Sequence, residues 1–125
     1  MTGEQLIMEL TWEQGQGRET QVQPPLDVWV EYFGIDLDAP PQLTLTNASG
    51  STNVRPVVRH DHNWTVEVPE ALGGPPRIIR FRRTGPDQYE YTVHGPGDED
   101  FERLQWLLEQ FPNPHRKKGR LWLIV

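Results

Sequence analysis

The chain has 125 residues, enough for one domain with a real core, and carries twelve basic against eighteen acidic side chains for a net charge of −6. It contains no cysteine, which excludes a disulfide framework, a thiol nucleophile and a thiolate metal site. Eleven Gly and twelve Pro predict many turns and short elements, while five Trp, four Phe and three Tyr supply large buriable areas.

The start, Met1 to Gln5, lacks the basic residues and apolar stretch of a signal peptide, and no apolar run approaches a bilayer span. A cytoplasmic protein with no membrane partner is expected.

Alternation with β-branched and aromatic enrichment predicts strands over 5–12, 27–33, 42–47, 54–59, 63–69, 77–82, 88–94 and 120–125. Residues 13–25, rich in Gln and Gly, predict a loop. In 27–33 the alternation of Val28, Val30 and Tyr32 against Trp29 and Glu31 leaves Trp29 facing outward. Pro56 predicts an edge strand or a loop around it.

One helix is expected over 98–111. Asp98 can cap it, Glu99, Asp100 and Glu102 complement its dipole, and Phe101, Leu104, Leu107, Leu108 and Phe111 share a face. The expected fold is a single domain over 1–125 of class α+β, predominantly β. It is a small barrel or bent antiparallel sheet of about seven or eight strands, with this amphipathic helix packed over it.

The hairpin of 77–82 and 88–94 keeps its apolar faces together if Phe81 lies beside Tyr89 and Ile79 beside Tyr91. Arg80 then meets Glu90, and Arg82 and Arg83 stand near the turn with only Asp87 close by.

Charge is unevenly spread along the chain. The first 54 residues carry eight acids and the single Arg18, so the other eleven basic residues all come later. Ten of them cluster as Arg55 and Arg59, as Arg77, Arg80, Arg82 and Arg83, and as Arg116, Lys117, Lys118 and Arg120. Arginine forks, histidine and asparagine are the side chains that reach base edges and phosphates. On that reading Arg55, Arg59, His60, His62, Asn63, Arg82 and Arg83 form one arm of a DNA-binding surface, and His115, Arg116, Lys117, Lys118 and Arg120 a second. For any single arginine the plainer explanation is a wet sheet face paired with Glu67 or Glu90. That explanation fits the 115–120 run less well, because the run contains no acid.

Other chemistries find little support. His60, Asp61 and His62 fall in a turn, and only His94 and His115 remain to complete a metal site, so ordinary surface histidines are expected. The acids at 98–102 are explained by the helix start. Ser49 and Ser51 lack a nucleophile elbow, and no Gly-rich run precedes Lys117 and Lys118. A non-catalytic protein without cofactor is the expectation.

About seven strands, a helix near the end and two polar-basic arms resemble the B3-like pseudobarrel, a recognition module of plant transcription factors and of some restriction endonucleases. The resemblance implies two loop-and-strand arms that clamp the major groove, to which only segments 55–63, 80–83 and 115–120 correspond. It implies a duplex-DNA recognition module within a restriction or defence system. The rival is a protein-interaction domain, an adaptor or inhibitor, whose acidic first half or aromatics near Trp29 face a protein partner.

Overall fold

The computed structural model describes residues 4–10, 21–36, 38–39, 41–59, 64–68, 76–110 and 121–125. Within them lie β1 (Gln5–Leu10), β2 (Gln21–Val22), a short helix α1 (Leu26–Val28) that widens into a π-helical turn (Trp29–Phe33), β3 (Gln42–Thr46) and β4 (Thr52–Arg59). There follow β5 (Trp64–Glu67), β6 (Arg77–Gly85), β7 (Gln88–His94), α2 (Glu99–Gln110) and β8 (Trp122–Ile124). The strands form one sheet in the order β2-β5-β4-β3-β7-β6-β1-β8, curled into a half-barrel. Neighbours are antiparallel except β3 and β7, which join the two halves in parallel. The predominantly β, α+β architecture is the one expected. No described helix is long and apolar enough to cross a membrane.

Side-chain alternation sorts the strands into two faces. On the concave face Leu6, Met8, Leu43, Leu45, Ile79, Phe81, Tyr89 and Tyr91 are buried with Val28, Trp29, Tyr32 and Phe33 of the helical turn. That turn plugs the half-barrel. Phe33 packs edge-on against Tyr32, Phe81 and Tyr89 at centroid distances of 4.9, 5.4 and 5.0 Å, a geometry favoured by the ring quadrupoles. On the convex face α2 lays Phe101, Leu104 and Leu108 over Ile7, Ile78 and Leu121. β1 is therefore buried on both sides.

The plug corrects the expected strand over 27–33. The Pro25 carbonyl accepts from Val28 N–H at 2.9 Å and from Trp29 N–H at 3.2 Å, which starts a helix. Gly34 closes it in the left-handed conformation at φ 63°. Helical spacing then puts Val28, Trp29, Tyr32 and Phe33 inward and leaves Leu26 and Val30 exposed. Trp29, expected to face out, is 0% exposed. The expected loop over 13–25 also gives way at Gln21–Val22, which pair with Glu67 and Val66.

The β6–β7 hairpin has the expected faces but a different register. Phe81 pairs with Tyr91, Ile79 with Val93, and Arg82, not Arg80, with Glu90. The turn lies at Pro86 and Asp87, the latter at φ 55°, between paired Gly85 and Gln88. A bulge between Arg83 and Gly85 inserts one residue. Without it Thr84 would face Tyr89, and the aromatic residues of β7 would sit opposite the polar face of β6.

Pro56 lies inside β4, where the strand changes neighbour. Thr52–Pro56 pair with β3 and Val57–Arg59 with β5. Val57 N–H donates to Pro41 O at 3.1 Å on the β3 side. The position of the missing Pro56 N–H thus faces the other side, where the β5 ladder has not begun.

Asp98 caps α2 as expected. Its Oδ1 accepts from Asp100 N–H at 2.9 Å, and His94 Nδ1 lies 3.0 Å from its Oδ2. Thr92 Oγ1 is 2.8 Å from His94 Nε2. The Asp100 N–H first, and His94 second, hold the Asp98 carboxyl below the usual carboxylate range. A depressed folded-state pKa gives stability that is present above the unfolded value and lost as pH falls through the folded one. We expect the melting temperature of the wild type to fall more steeply than that of Asp98→Asn between about pH 5 and pH 2, since Asn keeps the cap and removes only the charge. Parallel acid limbs in the two thermal-melt series would contradict this.

Candidate nucleic-acid interface

Following the pairs around the sheet, Leu10, Arg77, His94, Thr46 and Thr52 share one end, and Gln5, Gly85, Gln88, Gln42, Arg59 and Trp64 share the other. At the second end the β4–β5 hairpin closes on the pair Arg59 and Trp64. The Arg59 guanidinium lies 5.5 Å from the Trp64 ring centroid, a cation–π contact. Trp29 Nε1 donates to Trp64 O at 3.2 Å. The root of the hairpin is thereby tied to the buried plug.

Alternation along β4 turns Asn53, Arg55 and Arg59 to the concave side with Val57, because they pair beside Leu43, Leu45 and Val66 of the inner face. Arg55 Nε is buried without a hydrogen-bond acceptor among the described residues. Asn53 was not singled out from the sequence, although its two-residue spacing from Arg55 was the available signal.

Arg83 also turns inward, and its surroundings are those of a packing residue. It donates to Tyr32 O and stands 5.2 Å and 5.8 Å from the Tyr32 and Tyr89 ring centroids. Burial pushes both phenols up, and for Tyr32 the neighbouring Tyr89 adds to it, so both stay neutral. Tyr32 Oη donates to Glu4 O at 2.6 Å.

Arg82 lies on the convex face. It bonds Glu90 at 2.7 Å, and Gln5, Arg80, Arg82, Glu90, Tyr91 and Thr92 line a shallow pocket there. The expected partner of Glu90 was Arg80; the bulge gives that place to Arg82. So Arg55, Arg59 and Arg83 share the concave side, while Arg80 and Arg82 occupy the opposite one.

His60, His62 and Asn63, and the whole of His115, Arg116, Lys117, Lys118 and Arg120, lie outside the described residues. Their flanks are described. Residues 60–63 connect Arg59 to Trp64 at one end of the sheet. Leu121, which follows the 115–120 run, exchanges hydrogen bonds with Glu9 at the other end, N–H to Glu9 Oε1 at 2.7 Å and O from Glu9 N–H at 3.0 Å.

His94, Asp98 and Asp100 offer ligand atoms within 4.8 Å of one another. The hydrogen bonds at His94 and Asp98 are those of the helix cap, which accounts for the grouping without a cation.

No family model matches the chain, and no curated protein matches it. Among solved structures it is similar to the N-terminal domain of Helicobacter pylori LlaJI.R1, with a TM-score of 0.66 and 9% identity over 97% of this chain and 98% of that one. The chain shares the fold of that domain.

Proposed function

We propose that this chain is a non-catalytic DNA-recognition module of the B3-like kind, working within a restriction or defence system and needing no cofactor. The observation that supports it best is the half-barrel held in common with the N-terminal domain of LlaJI.R1. It carries Arg55 and Arg59 on the inner side of the strand that runs into the 60–63 connection. In this reading Arg55, Arg59, His60, His62 and Asn63 approach base edges, and Arg116, Lys117, Lys118 and Arg120 hold phosphates. In this reading Arg83, which bonds Tyr32 O, and Arg82, which pairs with Glu90 on the far face, are left out of the base-contacting set. Trp29, Tyr32 and Phe33 are buried, which removes the aromatic surface on which a protein-binding reading near Trp29 depended.

The test is fluorescence anisotropy with a labelled duplex across a salt series. Each phosphate contact adds about −0.9 to the slope of log affinity against log salt, so the four cations of 116–120 give roughly a hundred-fold loss between about 50 and 200 mM. Lys117→Ala should lower the slope by about 0.9 and weaken all sequences alike, whereas Arg59→Ala should relax sequence preference. Salt-independent binding, or no duplex binding at low salt, would refute the proposal.

A further inference from the structure

Helix α2 has one side chain that its packing does not explain. Phe101, Leu104 and Leu108 form its buried stripe, yet Trp106 is 55% exposed. At 100° per residue Trp106 sits about 200° from both Leu104 and Leu108, at the crest of the solvent face. Trp is a weaker helix former than the Glu, Gln and Arg around it, and an exposed indole leaves apolar surface in water. Nothing in folding favours it there.

The residues around it fix the sign of what it meets. Glu99, Glu102, Arg103, Glu109 and Gln110 lie within a turn or two on the same exposed face. Arg103 is drawn to Asp100 at 3.0 Å, which leaves the three glutamates to set the local potential among the described residues. The face repels a phosphate backbone. It also disfavours a parallel two-fold pairing with a second copy, which would set Glu102 and Glu109 against their own counterparts.

We propose that the α2 face centred on Trp106 docks a protein partner presenting an apolar socket rimmed by Lys or Arg. Trp106 enters the socket, and Glu102 and Glu109 meet the cationic rim. Aromatic anchors of this kind dominate interfaces, while rim charges steer encounter and set partner choice. This surface is on the opposite side of the sheet from Arg55 and Arg59, and the inference does not rest on the DNA reading.

The test uses protein labelled with 5-fluorotryptophan and a defined probe, a helical peptide of about four turns with a leucine stripe flanked by arginines. A twin peptide carries glutamate in place of each arginine. The fluorine resonance missing from Trp106→Phe identifies Trp106. The arginine peptide is expected to move that resonance saturably. Titration of the fluorescein-labelled peptide, read by anisotropy, should show affinity about ten-fold weaker for Trp106→Ala and a smaller salt dependence for Glu102→Gln with Glu109→Gln. Equal binding of the glutamate twin, unchanged affinity of Trp106→Ala, or no movement of the resonance with either peptide at millimolar concentration would overturn it.

Discussion

Trp29→Ala is expected to destabilise the protein by about 3–5 kcal/mol, the range for emptying a large aromatic site in a core. Domains of ordinary size have roughly 5–15 kcal/mol in all, so this change alone consumes much of the margin. The magnitude follows from position. Trp29 is 0% exposed and lies with the plug inside the curl, its ring 4.7 Å from that of Phe33. A cavity there is bounded by strands already paired to one another, which limits collapse. The substitution also strips Trp64 O of its indole donor, so the β4–β5 hairpin loses its tie to the core. Urea denaturation read by far-ultraviolet circular dichroism gives the loss directly. A change under about 1 kcal/mol would mean that the plug contributes little to the fold. Trp29→Phe keeps most of the volume and removes the indole N–H, so it isolates the hairpin tie at a smaller cost.

Leu104→Ala is expected to cost about 2–5 kcal/mol, but in a different place. Leu104 is buried in the convex cluster with Ile7, Ile78, Phe101, Leu108 and Leu121. This cluster is smaller than the concave one and holds α2 alone against β1 and β6. We therefore expect local opening of the helix before loss of the sheet. Native-state hydrogen exchange should show α2 amides opening roughly 30- to 1,000-fold more often for a local cost of about 2–4 kcal/mol. Core amides of β3 and β7 should keep their protection better than those of α2. Uniform loss across both regions would instead make the two clusters one cooperative unit.

Much of the sheet was legible because its strands alternate cleanly. Gln88–His94 occupies the expected span, and Ile79, Phe81, Tyr89 and Tyr91 face the core as their spacing implied. The amphipathic stripe and the Asp98 cap located α2 for the same kind of reason. Periodicity failed at 27–33, where a short apolar run fits either geometry. Pro25 before it and Gly34 after it were the start and stop signals that favour a helix, and Val28, Trp29, Tyr32 and Phe33 fit helical spacing as well as any strand. The register of the hairpin depended on a bulge at residues 83–85, which leaves no mark in the hydrophobic pattern beyond Gly85 itself. Of the candidate site, sequence parity was sufficient to put Arg55 with Arg59. It was not sufficient to separate Arg82 from them, because the faces of β4 and β6 are related only through the pairing of the intervening strands. The commitment of Arg83 to Tyr32 needed the plug, which the sequence reading had as a strand.

The position of β1 between β6 and β8 bears on how the chain emerges from the ribosome. β1 is made well before its partners, which begin at Arg77 and Trp122. At about 5–20 residues per second, the synthesis from Leu10 to Arg77 takes roughly 3–13 s. Throughout that interval Leu6, Ile7 and Met8 form an apolar segment with neither a hydrogen-bonding neighbour nor a cover. Residues 21–68, which make up the other half of the sheet, can meanwhile pair among themselves. A strand made well before its partners is thus among the last to be enclosed, and the nascent chain is exposed to aggregation or chaperone capture at Leu6–Met8 until β6 arrives.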